Sequence, residues 1–546
     1  MQCPRKSLRA DWRSAAHLMM SEFRISTFVS FSASYPSPNL VAMASLGTSA
    51  SLWRSFVPRL SSKELFTCRQ CLGNQGYANA AKSIRRFGAM PSLQPNKIRT
   101  PLFSDKNRQF FTSSLRRSAA AAAPAATVIA EESAAKAKSS FPKISDKSVA
   151  YFLLASAASV FGIVIFGGLT RLTESGLSIT EWRPVTGSMP PMNAADWEAE
   201  FAKYRASPEF KQLNSHMNLD DFKSIYYMEW IHRLWGRFVG MSFVIPAVYF
   251  VARKKVSTPM AWRLFGIAGL IGFQGFLGWW MVKSGLKDDL FAPGSHPRVS
   301  QYRLTAHLGA AFVCYVAMLW NGLAILRSNR LMADAASGLK QLEALRDPRL
   351  AIFRRSVAGL ALLVFTTVMS GGLVAGLDAG LIYNEFPYMG KGLAPPSSEL
   401  WDAHYSRHED RSDLWWRNML ENPSLVQLDH RILAMTTFTT IMALWAYSRR
   451  SPTVKRILPP AARKGMHGVV GFAFMQVGLG ISTLLYLVPT PLASAHQAGS
   501  LFLLTWVIVL GSRVWHPSRT AKLLQMAAKA RSQQLSSTSA SAVKRL

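Results

Sequence analysis

The stretch Glu229-Trp230-Ile231-His232-Arg233 stands where a polar segment gives way to the apolar run Phe238 to Val251, and its reading decides the fold. Glu229 and His232 are three residues apart, so on a helix they share a face. A carboxylate and an imidazole at the mouth of a membrane helix are costly unless partnered, which marks them as functional. Leu428-Asp429-His430-Arg431 echoes the stretch and opens another apolar run, and Thr305-Ala306-His307 and Ser494-Ala495-His496 open two more. Four such histidines, two per half, organise the chain.

Composition agrees with a membrane protein. Of 546 residues 49% are hydrophobic, and the formal net charge is +33. A basic balance raises nucleic acid as a partner. Here no compact basic domain with interleaved aromatics exists and the charges lie outside the apolar runs, so no nucleic acid is expected. The four cysteines, Cys3, Cys68, Cys71 and Cys314, predict neither a disulfide framework nor a zinc site in the mature protein.

Residues 1–130 hold 18 Lys/Arg against 4 Asp/Glu, with much serine and no run long enough to span. That is the composition of an organelle transit peptide, and the resemblance described below favours a mitochondrial over a chloroplast one. Residues 131–148 read as a linker. Eight apolar segments follow at about 149–170, 233–252, 262–282, 304–326, 356–376, 428–447, 466–488 and 494–513, each near the roughly 20 residues that cross a bilayer. The short loops between segments two and three, four and five, and six and seven are rich in Lys and Arg. The long loops Arg171 to Tyr227 and Leu377 to Gln427 hold many acids. By the positive-inside rule both termini face the matrix. Each of the four histidines then begins an even-numbered segment near the opposite, acidic-loop face.

The halves repeat. Gly167-Gly168-Leu169, Gly176-Leu177 and Glu181 match Gly371-Gly372-Leu373, Gly380-Leu381 and Glu385, each pair 204 positions apart. Gln274 with Leu277-Gly278 matches Gln476 with Leu479-Gly480. Four helices per copy insert both copies in the same sense. The predicted fold is therefore an all-α membrane protein of eight transmembrane helices, two tandem four-helix bundles related by a pseudo-two-fold axis. Residues 149–326 and 356–513 form the bundles, 327–355 a matrix-side connection and 514–546 a basic tail.

Facing histidines on two helices of a bundle suit haem iron, which accepts two axial nitrogens. Zinc or copper would need a third or fourth ligand, and no cysteine pair lies near these four to supply one. His404 and His408 stand in a loop without a repeat partner and read as surface residues, as do His216 and His296, while His467 falls at the opposite face. Where the first half has Glu229 the second has Gln427, which predicts chemistry in the first bundle and simple haem holding or electron transfer in the second. The bland reading of Glu229 is an i,i+4 ion pair with Arg233. Arg233, Arg237 and Arg431 are possible partners for haem propionates.

With these residues in hand, the chain from about 149 to 513 resembles the heme A synthases. The resemblance rests on the run Gly167 to Ser178, on Glu229-Trp230-Ile231-His232-Arg233, on Thr305-Ala306-His307, on Leu428-Asp429-His430-Arg431 and on Ala495-His496. It implies an oxidoreductase of the mitochondrial inner membrane that converts the C8 methyl of heme O to a formyl group by successive hydroxylations and loss of water. It further implies that His232 and His307 are axial ligands of the substrate haem and that His430 and His496 hold a haem B cofactor. Glu229 would be the essential acid, acting by proton transfer or by stabilising a cationic intermediate. A ferredoxin with its reductase would supply electrons, and heme O synthase, cytochrome c oxidase assembly factors and further copies of the chain are implied as partners within the bilayer. Bacterial relatives with a cysteine pair in the first outer loop differ from this chain, whose loop 171–227 has none. Trp182, Pro190-Pro191 and Trp197 predict that this loop folds into a cap. A diheme b-type electron-transfer cytochrome or a non-catalytic haem chaperone would also explain four histidines, but neither explains the Glu229/Gln427 difference.

Overall fold

The computed structural model describes residues 141–292 and 295–543; the expected transit segment 1–130 and its three cysteines lie outside the described residues, as does most of the linker 131–148. Among the described residues there is no strand, and one isolated bridge pairs Met389 with Gly392. We label eight long helices α1 (Lys147–Leu172), α2 (Leu219–Ala252), α3 (Thr258–Ser284), α4 (Gln301–Ala333), α5 (Leu350–Gly376), α6 (Pro423–Arg450), α7 (Pro460–Leu485) and α8 (Thr490–Val514). Seven of them, all but α6, are long and apolar enough to cross a membrane. α6 has the length, 28 residues, but carries Asp429, Arg431 and four threonines. Thr436 and Thr439 donate back to the carbonyls of Ile432 and Met435 at 2.7 and 2.9 Å, which satisfies their hydroxyls within the helix itself.

The helix boundaries depart from the apolar runs for local reasons. α2 begins at Leu219, well before residue 233, because the Asn218 side chain caps it by accepting from the amides of Asp220 and Asp221. His232 is therefore deep in a helix whose first turns stand outside the apolar run. The 327–355 connection contains the end of α4 and a helix at Ala335–Arg346, and the basic tail forms another at Ser518–Val543.

Within the first half α1 packs on α2 and α4, and α3 on α2 and α4; in the second half α5 packs on α6 and α8, and α7 on α6 and α8. Contacts of α1 with α8, of α4 with α5 and of α4 with α8 join the halves. Lipid provides no hydrophobic drive for such contacts, so close approach over small residues supplies the dispersion energy. The repeated Gly-Gly pair shows how. A Cβ at Gly168 of α1 would collide with the Gln497 amide of α8, which itself donates to Val164 O at 2.9 Å. A Cβ at Gly372 of α5 would stand 3.1 Å from Thr305 Oγ1 on α4.

The first outer loop is folded as a cap. Its helices at Ala194–Arg205 and Pro208–Gln212 are capped by Asn193 and Ser207. Trp197, Phe201 and Tyr204 from the loop close a buried cluster on Phe222 and Tyr226 of α2. Trp197 alone sets its ring against Phe222, Tyr226 and Tyr227, at centroid distances of 6.5, 5.1 and 5.3 Å. Trp182, by contrast, is exposed.

Candidate functional site

Each of the four histidines sits on a glycine of the preceding helix. A Cβ at Gly167 would lie 2.8 Å from Cε1 of His232, one at Gly278 3.3 Å from His307, one at Gly371 3.1 Å from His430 and one at Gly480 2.9 Å from His496. The repeat motifs thus acquire a physical meaning. In Gly167-Gly168 and Gly371-Gly372 the first glycine seats an imidazole of its own half and the second admits a helix of the other half. Sequence reasoning found the motif and missed the seat.

The rings are partly buried, and their Nδ1 edges face protein. Nδ1 of His430 is 2.8 Å from Ser370 Oγ, and Nδ1 of His496 is 3.0 Å from Gln476 Nε2. Nδ1 of His232 and of His307 are buried without a partner. Gln274 and Gln476, matched in the repeat, donate to the backbone carbonyls of His307 and His496 at 3.0 and 2.9 Å. The Nε2 edge of all four rings has no hydrogen bond among the described residues and is not sealed off. His232 and His307 stand on α2 and α4 of the first half, and His430 and His496 on α6 and α8 of the second. Among the described residues no three His, Cys, Asp or Glu converge to hold a bare metal ion. Two open imidazole nitrogens per half, with Cε1 tucked into a glycine and Nδ1 turned inward, fit axial ligation of a haem iron through Nε2.

Glu229 is 3% exposed and has every acceptor site engaged. Oε1 accepts from Arg233 Nε and Nη2 at 3.0 and 2.6 Å, and Oε2 from Ser178 Oγ and the amide of Ile179 at 2.7 and 2.8 Å. The ion pair with Arg233 is thus real, but it is buried, with two guanidinium donors converging on one carboxylate oxygen, rather than a weak surface pair. Arg233 continues to the carbonyls of Ile179 and Glu181. The other half repeats the arrangement with a neutral amide. Gln427 Nε2 donates to the carbonyls of Ala379 and Tyr383 at 3.0 and 3.3 Å, and Arg431 Nη2 to Tyr383 and Glu385 at 3.0 and 2.9 Å. Tyr383 and Glu385 are the residues that the repeat pairs with Ile179 and Glu181. Arg237 in turn donates to the carbonyls of Arg183 and Pro184. The three arginines expected near propionates therefore spend most of their donors on the outer loops. Arg237 Nη1 and Arg431 Nε, the donors left over, are buried.

One functional-looking group had no signal in the sequence. Glu209, in the cap, is 3% exposed, and its Oε2 has no hydrogen-bond partner among the described residues. Burial, then the nearby Glu229 and Glu174 carboxylates, push its pKa up to about 8, against the pull of Arg171. His404 lies in the second outer loop against Tyr405, apart from the two pairs.

The chain matches the family model described as cytochrome oxidase assembly protein over residues 150–508. It is 53% identical over 374 residues to Heme A synthase COX15 of Saccharomyces cerevisiae, covering 68% of this chain and 76% of that protein. To Heme A synthase COX15 of Homo sapiens it is 45% identical over 370 residues, covering 67% and 83%. To the heme A synthase-mitochondrial ferredoxin fusion protein of Schizosaccharomyces pombe it is 49% identical over 384 residues, covering 70% and 62%. The matched region holds all four seated histidines and both loops that the arginines grip, and the chain belongs to the cytochrome oxidase assembly protein family.

Proposed function

We infer that the chain is a heme A synthase, an enzyme that carries out an oxidation in heme A formation. The relatives' names and the extent of the match support this reading over a diheme cytochrome or a haem chaperone. The finer reaction we propose is oxidation of the C8 methyl of heme O to a formyl group, by two hydroxylations and loss of water. The observation that carries it is the pair of open, glycine-seated imidazole sites in which the first half has a carboxylate, Glu229, where the second has the neutral amide Gln427.

In this reading His232 and His307 hold the substrate haem, and His430 and His496 hold haem B. A haem B held by His430 and His496 would supply one-electron redox chemistry. Ser370 and Gln476, beside Nδ1 of the cofactor pair, fix ring orientation; the substrate pair has no such hold on Nδ1, which suits a haem that arrives and leaves. Glu229, with both oxygens committed to four donors and paired with Arg233, would act as a fixed electrostatic group beside His232 that stabilises positive charge at the methyl carbon. That role fits it better than proton transfer. Arg233, Arg237 and Arg431 clamp the outer loops over the two sites, and a propionate at their outer edge would add to these bonds.

The architecture we propose is eight spans in two tandem four-helix bundles about a pseudo-two-fold axis, with α6 as the eighth span. The basic short loops and acidic long loops support an orientation with both termini in the matrix, in the mitochondrial inner membrane. The ferredoxin fusion named in the Schizosaccharomyces pombe relative supports a ferredoxin as electron donor on that side. Heme O synthase and oxidase assembly factors would supply substrate and take product, and self-association is expected.

Chromatography of haems extracted from membranes of a heme-O-producing host tests the reading. The intact chain should yield heme A, and Glu229→Gln should leave heme O or a hydroxylated intermediate. Haem B alone from both preparations, with folded protein and electron supply verified, would overturn it.

A further inference from the structure

The junction of α6 and α7 holds a cavity of about 310 Å³ that the haem chemistry does not use. Arg449 from α6, Lys455 from the short helix Pro452–Ile457, and Arg463 and His467 from α7 line it, over a floor of buried Ser448 and Met466. Arg449 stacks on the Trp445 ring, 5.4 Å from its centroid. No carboxylate lines the cavity, and none of its three cationic side chains is in an ion pair among the described residues. The reason is in the chain itself, which contains no Asp or Glu after Asp429.

The junction of α2 and α3 shows what such a place looks like when the protein fills it. There the segment before α1 crosses the loop: Asp146 N donates to Lys255 O at 2.9 Å, Ser257 N to Ser145 Oγ at 2.9 Å, and the Asp146 carboxylate acts on Lys255. Arg263 donates to Asn321 Oδ1 at 3.0 Å. Among the described residues, the α6–α7 junction has no such strap and no carboxylate lines it. Its positive charges converge on open space at the end of two membrane helices, beside an indole of the kind that settles at headgroup level.

We propose that this cavity binds the phosphate headgroup of an anionic phospholipid. Guanidinium groups match phosphate oxygens bidentately, and basic pockets between membrane helices on the positive-inside face attract such headgroups. The volume suits a headgroup rather than a protein surface. The site is independent of the reading of the haem sites.

The test titrates the detergent-solubilised full chain with phosphatidylglycerol, with phosphatidylcholine and with inorganic phosphate, reading bound lipid by native mass spectrometry and protection by thermal unfolding. Phosphatidylglycerol should bind and protect where phosphatidylcholine does not. The double variant Arg449→Gln/Arg463→Gln should weaken phosphatidylglycerol binding by about tenfold or more, at roughly 1 kcal/mol per basic residue near a charged headgroup. Lys464→Gln, which removes a neighbouring charge that does not line the cavity, should bind as the wild type does. Equal lipid binding by the double variant overturns the site. Equal protection by inorganic phosphate at matched concentration overturns the lipid as its occupant.

Discussion

Replacing Gly167 by Ala puts a methyl group 2.8 Å from Cε1 of His232. Carbon atoms are most favourably spaced about 3.5–4.0 Å apart, so the ring or α1 must yield by roughly 0.7 Å or more. α1 is held on its other face by Gln497 against Gly168 and Val164, which leaves the imidazole as the part that moves. Overpacking of this kind costs about 1–3 kcal/mol, a loss of about 5- to 150-fold in the equilibrium for ligation. The same reasoning ranks the other seats, with Gly480→Ala at 2.9 Å nearly as severe, Gly371→Ala at 3.1 Å intermediate and Gly278→Ala at 3.3 Å mild. Gly478 and Gly275 are the controls, on the same helices as Gly480 and Gly278 but with nothing within 4 Å of a Cβ. Alanine there should be neutral or gain up to about 1 kcal/mol of helix propensity. Haem content per polypeptide, with the low-spin absorption bands of a bis-imidazole iron, reads the series in purified protein. Wild-type haem content in Gly167→Ala and Gly480→Ala would refute the seat argument. So would an equal loss in Gly478→Ala.

Three further outcomes are expected. Glu229→Gln removes one partner of a buried ion pair and should cost on the order of 3–5 kcal/mol, read as a lowered unfolding temperature; Arg233→Lys in the otherwise wild-type chain should lower it too, because a single ammonium cannot serve the carboxylate and the carbonyls of Ile179 and Glu181 together. The Glu209 carboxyl, pushed up to about 8 by burial, then by Glu229 and Glu174, is protonated in the folded cap at pH values where the unfolded chain has lost that proton. Cap stability should therefore fall as pH rises from about 4.5 to about 8, and Glu209→Gln should flatten that slope in proteolysis of the cap at a series of pH values. Trp197→Ala, which empties a ring position buried against Phe222 and Tyr226, should cost about 3–5 kcal/mol locally; cleavage within 182–218 should accelerate while helical circular dichroism is unchanged.

Much of this protein is written in local patterns. Span length, the apolar runs and the basic short loops follow from bilayer thickness and charge, and a linear scan reads them. The four histidines stand out because each opens an apolar run, and the repeat makes Gly167-Gly168 and Gly371-Gly372 correspond. The Glu229/Gln427 difference needs no structure to be seen. The cap was also legible, since tryptophans and prolines at that density in a polar loop are costly to leave in water, although of the two tryptophans only Trp197 is buried.

Tertiary structure alone decided what these residues touch. An ion pair four residues apart reads as a weak surface contact until the loop 178–181 closes over Glu229 and buries it. The division of labour within each Gly-Gly pair depends on partners as distant as Gln497, whose amide reaches Val164 from 333 positions away. Glu209 looks like any other acid in an acidic loop, and its burial comes only from the packing of the cap. The physical reason is one of range. Hydropathy and helix periodicity act over one or two turns and are visible in the chain, whereas close approach, desolvation and hydrogen-bond closure are set by helices that meet only when the whole bundle has packed.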